Sequence, residues 1–137
     1  MNRQFTFIII VIVGVFAAST TLARQHRPYD QIMKDVGATF ASLKKNLDAN
    51  SGTAAAEDAA KLERLFTEIE AFWAPLDTQD AVNFAKRARD AAAAVGTGAK
   101  GNNMKAAQKS YSEIQKSCAN CHFAHREETG KGFLIRP

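Results

Sequence analysis

The chain has 137 residues and a mass of 14.9 kDa, which leaves room for one domain. Three Pro, eight Gly, 23% charged and 46% apolar residues exclude disordered and collagen-like classes. The net charge of +4 comes without dense Lys/Arg runs and so argues against nucleic acid as a partner.

The first element in chain order is an export signal. Arg3 precedes an uncharged run of 14 residues, 5–18, rich in Ile and Val, and small residues follow up to Ala23. A basic start, an apolar middle and an A-x-A-like end predict a secretory signal over 1–23, cut after Ala23. The apolar run is short for a span of about 20 residues, so an uncleaved anchor is the weaker alternative. The remaining domain, 24–137, keeps 22 Ala and few β-branched residues, a composition that favours helix over strand.

Four amphipathic segments follow. Over 29–49, Tyr29, Met33, Val36, Phe40, Leu43 and Leu47 recur at steps of 3 and 4, behind Pro28 at the entry. Asn50-Ser-Gly-Thr53 stops this helix, with Thr53 a candidate cap for the next. Over 54–74, Ala55, Ala59, Leu62, Phe66, Ile69 and Trp73 repeat the pattern until Pro75 closes it. Thr78 is the candidate cap of a third helix, 79–95, with Ala81, Ala85, Ala88, Ala92 and Val95 inward. The stretch 96–103, with three Gly and two Asn, predicts an eight-residue loop. The fourth stripe, over 103–128, is Met104, Ala107, Tyr111, Ile114, Cys118, Cys121 and His125. No segment outside the signal alternates as a strand does. The expected fold is all-α, an antiparallel up-down-up-down four-helix bundle. Glu57–Lys61 and Lys109–Glu113 are expected helical ion pairs. Lys105, Lys109 and Lys116 on the last helix read as a solvated face, with a docking face for an acidic partner as the sharper alternative.

Both cysteines stand in one motif, Cys118-Ala-Asn-Cys121-His122, which is the C-x-x-C-H attachment signature of c-type haem. Thiols at i and i+3 share a helical face and can each form a thioether to one porphyrin. The His at i+4 then serves as proximal iron ligand. Attachment requires an exported, reduced chain, so signal and motif support each other. Three rival readings are weaker. A disulfide suits the compartment, but so short a bridge within a helix staples little. Thioredoxin-like chemistry calls for a βαβ setting. Zinc at C-x-x-C-H-x-x-H, with His125, would need four side chains spread along one helix to converge.

A haem motif on the last of four helices resembles the class II c-type cytochromes, the cytochrome c′ family. The resemblance spans the domain in layout. It is specific at 118–126, where Arg126 matches a basic residue four positions after the haem His, and at Ile32-Met-Lys-Asp-Val-Gly37, which is similar to the family's distal segment. Tyr29-Asp30 stands where many members have Arg-Gln, His125 where an aromatic residue is frequent, and the tail 129–137 runs past the usual end. The tail's Phe133, Leu134 and Ile135 are expected to pack over a bundle end.

The resemblance implies one covalent haem c held by Cys118 and Cys121, with His122 on the iron and Arg126 beside it. It implies an electron carrier if Met33 supplies the distal iron ligand. If Met33 only fills space, it implies a five-coordinate protein binding nitric oxide or carbon monoxide. Met104, about 27 Å along the helix from His122, does not reach the iron. His26 is poorly anchored, and His125 is expected at solvent or a haem propionate. Phe40, Phe66, Phe72, Trp73, Phe84 and Tyr111 are core aromatics first, two or three of them touching haem. No nucleophile triad, phosphate loop or carboxylate pair points to an enzyme. The expected partners are redox proteins of the periplasm or a membrane respiratory chain, with a homodimer as a further option.

Overall fold

The computed structural model describes residues 27–137. The expected signal over 1–23, its cleavage point and His26 lie outside the described residues. Four helices pack in chain order: α1 (Tyr29–Asp48), α2 (Gly52–Trp73), α3 (Gln79–Lys100) and α4 (Met104–His125). A 3-10 turn, Ala74–Leu76, ends α2 at Pro75. Short connections between successive, mutually packed helices make an antiparallel four-helix bundle, as the sequence predicts.

Local chemistry explains where the helices start and stop. Pro28, at φ −53°, precedes α1, while Asp30 in its first turn and Lys45 in its last complement the helix dipole. Asn50 adopts a left-handed φ of 53°, and Ser51 N–H donates to the Asn46 carbonyl at 2.9 Å. With Asn50 N–H on Leu47 this is a Schellman ending. α3 ends in the same way, with Asn102 at φ 55° and Asn103 N–H on the Gly98 carbonyl at 2.8 Å. Asn103 then caps α4 by accepting from Ala106 N–H at 3.1 Å. Thr78 occupies the N-cap of α3, but its hydroxyl donates to the Leu76 carbonyl and caps no helical N–H.

Several boundaries differ from expectation. α2 begins at Gly52, so Thr53 is already inside it. The eight-residue loop expected over 96–103 shrinks to the few residues from Gly101 to Asn103, because α3 runs on to Lys100. Gly98 serves packing instead. A Cβ on Gly98 would stand 2.9 Å from Ala107 N, so only glycine lets α3 approach α4 so closely there. α4 ends at His125 rather than 128, and the tail forms a hairpin. β1 (Arg126–Thr129) and β2 (Gly132–Ile135) pair antiparallel, with Arg126 opposite Ile135 and Glu128 opposite Phe133. The expectation of no strand fails here, since 126–135 is too short to show alternation.

The tightest packing lies between α2 and α3, where Ala55, Ala59, Ala81, Ala85, Ala88 and Ala92 are buried and permit close approach. α1 lies on α2 through Ile32, Val36, Thr39, Leu43 and Leu47. Its expected stripe is thus turned. Ile32 and Thr39 are deep, while Met33 and Phe40 sit half-buried at the margin. α1 and α4 barely touch. That open seam between first and last helix is where the candidate site lies. Of the expected ion pairs neither forms among the described residues; Lys34–Asp30, Lys44–Asp48, Arg89–Asp90 and Lys116–Glu113 pair within single helices instead.

Candidate functional site

Two adjoining cavities follow the α1–α4 seam. The inner one, about 170 Å3, is walled by Met33, Val36, Gly37 and Phe40 of α1, Phe66 and Ile69 of α2, Phe84, Ala85 and Ala88 of α3, and Ser117, Cys118, Cys121 and His122 of α4. The outer one, about 380 Å3, lies between Tyr29, Asp30, Met33 and Lys34, Trp73, the end of α4 and the hairpin residues Arg126 and Phe133–Ile135. Met33, Cys121 and His122 face both. Phe40 stacks on Tyr111 at 4.3 Å, and Tyr29 stacks on Phe72 at 4.2 Å. Antiparallel pairing of α1 with α4 places these two aromatic stacks at opposite ends of the seam.

All five residues singled out by sequence converge here. Cys118 lines the inner cavity, Arg126 the outer one, and Met33, Cys121 and His122 both. Successive positions 118, 121 and 122 share a face because a helical turn takes 3.6 residues. The site has another feature that sequence alone did not mark. A Cβ on Gly37 would meet nothing within 4 Å, so α1 leaves open space beside Met33.

The thiols are free and half-buried. Burial, then the neighbouring Cys121 sulfur, pushes the Cys118 thiol up to about 11; burial and then Asp80 push Cys121 up to about 11. Both are therefore protonated at neutral pH, and thiols in that state are poor nucleophiles and slow to oxidise. His122 is exposed along one edge while its other side meets the cavity wall. That partial burial, and then the Arg126 guanidinium, hold it below its ordinary 6.5. Arg126 Nη1 lies 3.4 Å from His122 Nδ1. A guanidinium only donates, so Nδ1 accepts in this arrangement and the ring proton sits on Nε2. Tyr29 accepts from Trp73 Nε1 at 2.9 Å, and burial raises its hydroxyl to about 12.

His125 does not face solvent as expected. It is buried, with Nδ1 2.8 Å from the Arg136 carbonyl and Nε2 3.0 Å from Asp80 Oδ2. A carbonyl oxygen only accepts, so Nδ1 donates to Arg136, while Nε2 lies against the Asp80 carboxylate. Its ring centre is 5.1 Å from that of Trp73. Desolvation pushes the Asp80 carboxyl up, but the hydrogen bond and charge of His125, together with backbone N–H donors, hold it below the usual range. These contacts remove His125 from any zinc set with Cys118, Cys121 and His122. Among the described residues, no three His, Cys, Asp or Glu side chains gather as a metal-holding group.

Phe40, Phe66 and Phe84 wall the inner cavity and Trp73 the outer; Phe72 and Tyr111 support them from behind. Met104 lies at the opposite end of α4, packed on the core. Among the described residues no helix is long and apolar enough to cross a membrane. Compared with protein-family models, curated proteins and solved structures, the chain matches none.

The residues present suit a flat, largely apolar group fixed by two thioethers. The walls are almost wholly carbon, the thiols stand on one helix face, and a nitrogen and a thioether sulfur both face the same pair of cavities.

Proposed function

We propose that the chain is a mono-haem c-type cytochrome, exported to the periplasm, that carries single electrons between redox proteins. The reading keeps the resemblance to the cytochrome c′ family. The observation that carries it is the α1–α4 seam, an apolar slot with Cys118, Cys121 and His122 on one side and Met33 on the other. The bound haem supplies a metal centre that gains and loses one electron.

The chain's own residues divide the remaining work. Cys118 and Cys121 would hold the haem as thioethers, each thiol giving its sulfur to one carbon of a vinyl C=C and its hydrogen to the other, with no oxidant needed. Half-burial, which keeps Cys118 and Cys121 protonated at neutral pH, slows their oxidation before that addition. His122, held below its ordinary pKa, offers a neutral ring at neutral pH, as metal ligation requires. Were Nε2 to hold the iron, the ring proton would sit on Nδ1 and Arg126 would have to release that atom; Arg126 is a positioning residue, not a ligand. The carbon-lined walls disfavour extra positive charge in the slot and so favour the reduced state. Surface-exposed Lys105 and Lys109 on α4 are available to an acidic partner, while exposed Lys116 is paired with Glu113.

A second reading has an observation of its own. The open space beside Gly37, next to half-buried Met33, leaves room for a diatomic gas. On that reading the iron is five-coordinate and the protein binds nitric oxide or carbon monoxide. The absorption spectrum of the exported protein, ferric and ferrous, with and without carbon monoxide, separates the two. A low-spin spectrum unmoved by the gas is the result expected for the carrier. High-spin bands that shift with gas favour the binding protein, and absence of covalent haem refutes both.

A further inference from the structure

The hairpin at the end of the chain is a structural oddity in a helical bundle. β2 presents Phe133, Leu134 and Ile135, which are 56%, 58% and 37% exposed, yet all three form one wall of the outer cavity. A two-stranded hairpin of this length is marginal alone. This one is tied down at specific points. His125 Nδ1 donates to the Arg136 carbonyl, Arg136 N–H donates back to the His125 carbonyl at 2.9 Å, and His125 Nε2 reaches Asp80 on α3. Arg126 lies 3.6 Å from the Phe133 ring centre. Buried His125 is therefore the peg joining α3, α4 and the hairpin.

Such anchoring holds apolar side chains along an open cavity of about 380 Å3. Three adjacent apolar residues kept part-exposed at fixed positions imply an apolar group beneath them. The same cavity is shared by Cys121 and His122, which identifies that group as the one those residues hold. We propose that the hairpin is part of the cofactor site, a wall pegged by His125 that excludes water from the His122 side of the haem. The proposal rests on the haem reading above. Its chemical consequence is a drier iron environment, which favours the less charged, ferrous state.

The test uses the exported holoprotein and three variants: a chain ending at Thr129, the double substitution Phe133→Ser with Leu134→Ser, and His125→Ala. The substitution Phe133→Leu is the conservative control. Mass and haem-pyridine spectra first establish one covalent haem in each. The expected result is a tilt of the one-electron equilibrium towards ferric iron by roughly tenfold, about 59 mV, in all three variants and not in Phe133→Leu. A readout free of haem runs beside it. Trp73 is the one tryptophan of the chain and lines the outer cavity, so its emission in the haem-free protein should shift to the red in the same three variants. Unchanged potentials with haem bound overturn the wall while leaving the cytochrome reading intact. Wild-type protein without covalent haem overturns both. A wild-type dimer that the variants dissolve, with potentials unmoved, assigns the hairpin to contact between copies and overturns the proposal.

Discussion

Replacing Gly98 by Ala should destabilise the bundle, although alanine is the better helix former. Within a helix the exchange gains about 1 kcal/mol from propensity alone. At Gly98, however, the new Cβ would lie 2.9 Å from Ala107 N, 3.2 Å from Ala107 Cα and 3.2 Å from its Cβ. Two of those atoms are backbone, so relief requires α4 to move rather than a side chain to turn. Overpacking of this kind costs typically 1–3 kcal/mol, and a backbone clash belongs at the upper end. The net expectation is a loss of about 1–2 kcal/mol. Urea denaturation of the haem-free chain measures it: at a slope of about 2 kcal/mol per molar, the midpoint falls by roughly 0.5–1 M. Gly96→Ala is the internal control, since its Cβ would meet only Ala59 Cβ at an ordinary 3.7 Å. It should raise the midpoint. Equal stabilisation by both substitutions would refute the claim that close helix approach, and not loop formation, explains Gly98.

Other outcomes are equally specific. Met33→Ala should shift the spectrum and potential of a carrier sharply; in a gas-binding protein it should mainly speed ligand entry. Unchanged spectrum and potential would remove Met33 from the iron. Tyr29→Phe strips the acceptor from buried Trp73 Nε1 at almost constant volume. It should cost about 1–3 kcal/mol by denaturant titration. In the reduced, haem-free chain, Cys118 rises from 9.0 to about 11 on folding. Stability is then full below pH 9 and declines as pH climbs through 11, by at most about 3 kcal/mol for that thiol. Haem attachment consumes the thiol, so this alkaline loss should vanish in the holoprotein. His122 acts at the acid side: held below 6.5 when folded, it takes protons more readily in the unfolded chain, so haem-free stability falls as pH drops beneath that value. The His122→Phe counterpart should lose the decline just below pH 6.5 and keep the later loss at lower pH, where Asp35 and Asp80 take up protons.

Much of the architecture was legible before any coordinates. Steps of 3 and 4 between apolar residues located all four helices, and Pro75 marked the end of α2 because proline ends a helical run. The motif residues 118, 121 and 122 could be assigned to one face from helical geometry alone. Reading failed where one residue type serves two purposes. Gly96 and Gly98 look like loop punctuation, yet both lie inside α3, and at Gly98 the reason is steric demand from Ala107 of α4, which no pattern around residue 98 announces. His125 was misplaced for a related reason. Its partners, Asp80 and Arg136, lie 45 and 11 residues distant, and no local pattern announces such a pairing.

The sequence by itself determined the helical class, the order of helices and the cluster of thiols and imidazole, since each depends on neighbours within a turn or two. Only the tertiary structure decided how α1 is rotated, that Met33 faces the same cavities as His122, and that the tail returns as a hairpin over them. Those features arise from how whole helices pack. α2 and α3 draw together over small alanines, α1 settles against α2, and the seam between α1 and α4 is left open. A stripe pattern states which side of a helix is apolar; it does not state which neighbour that side will meet.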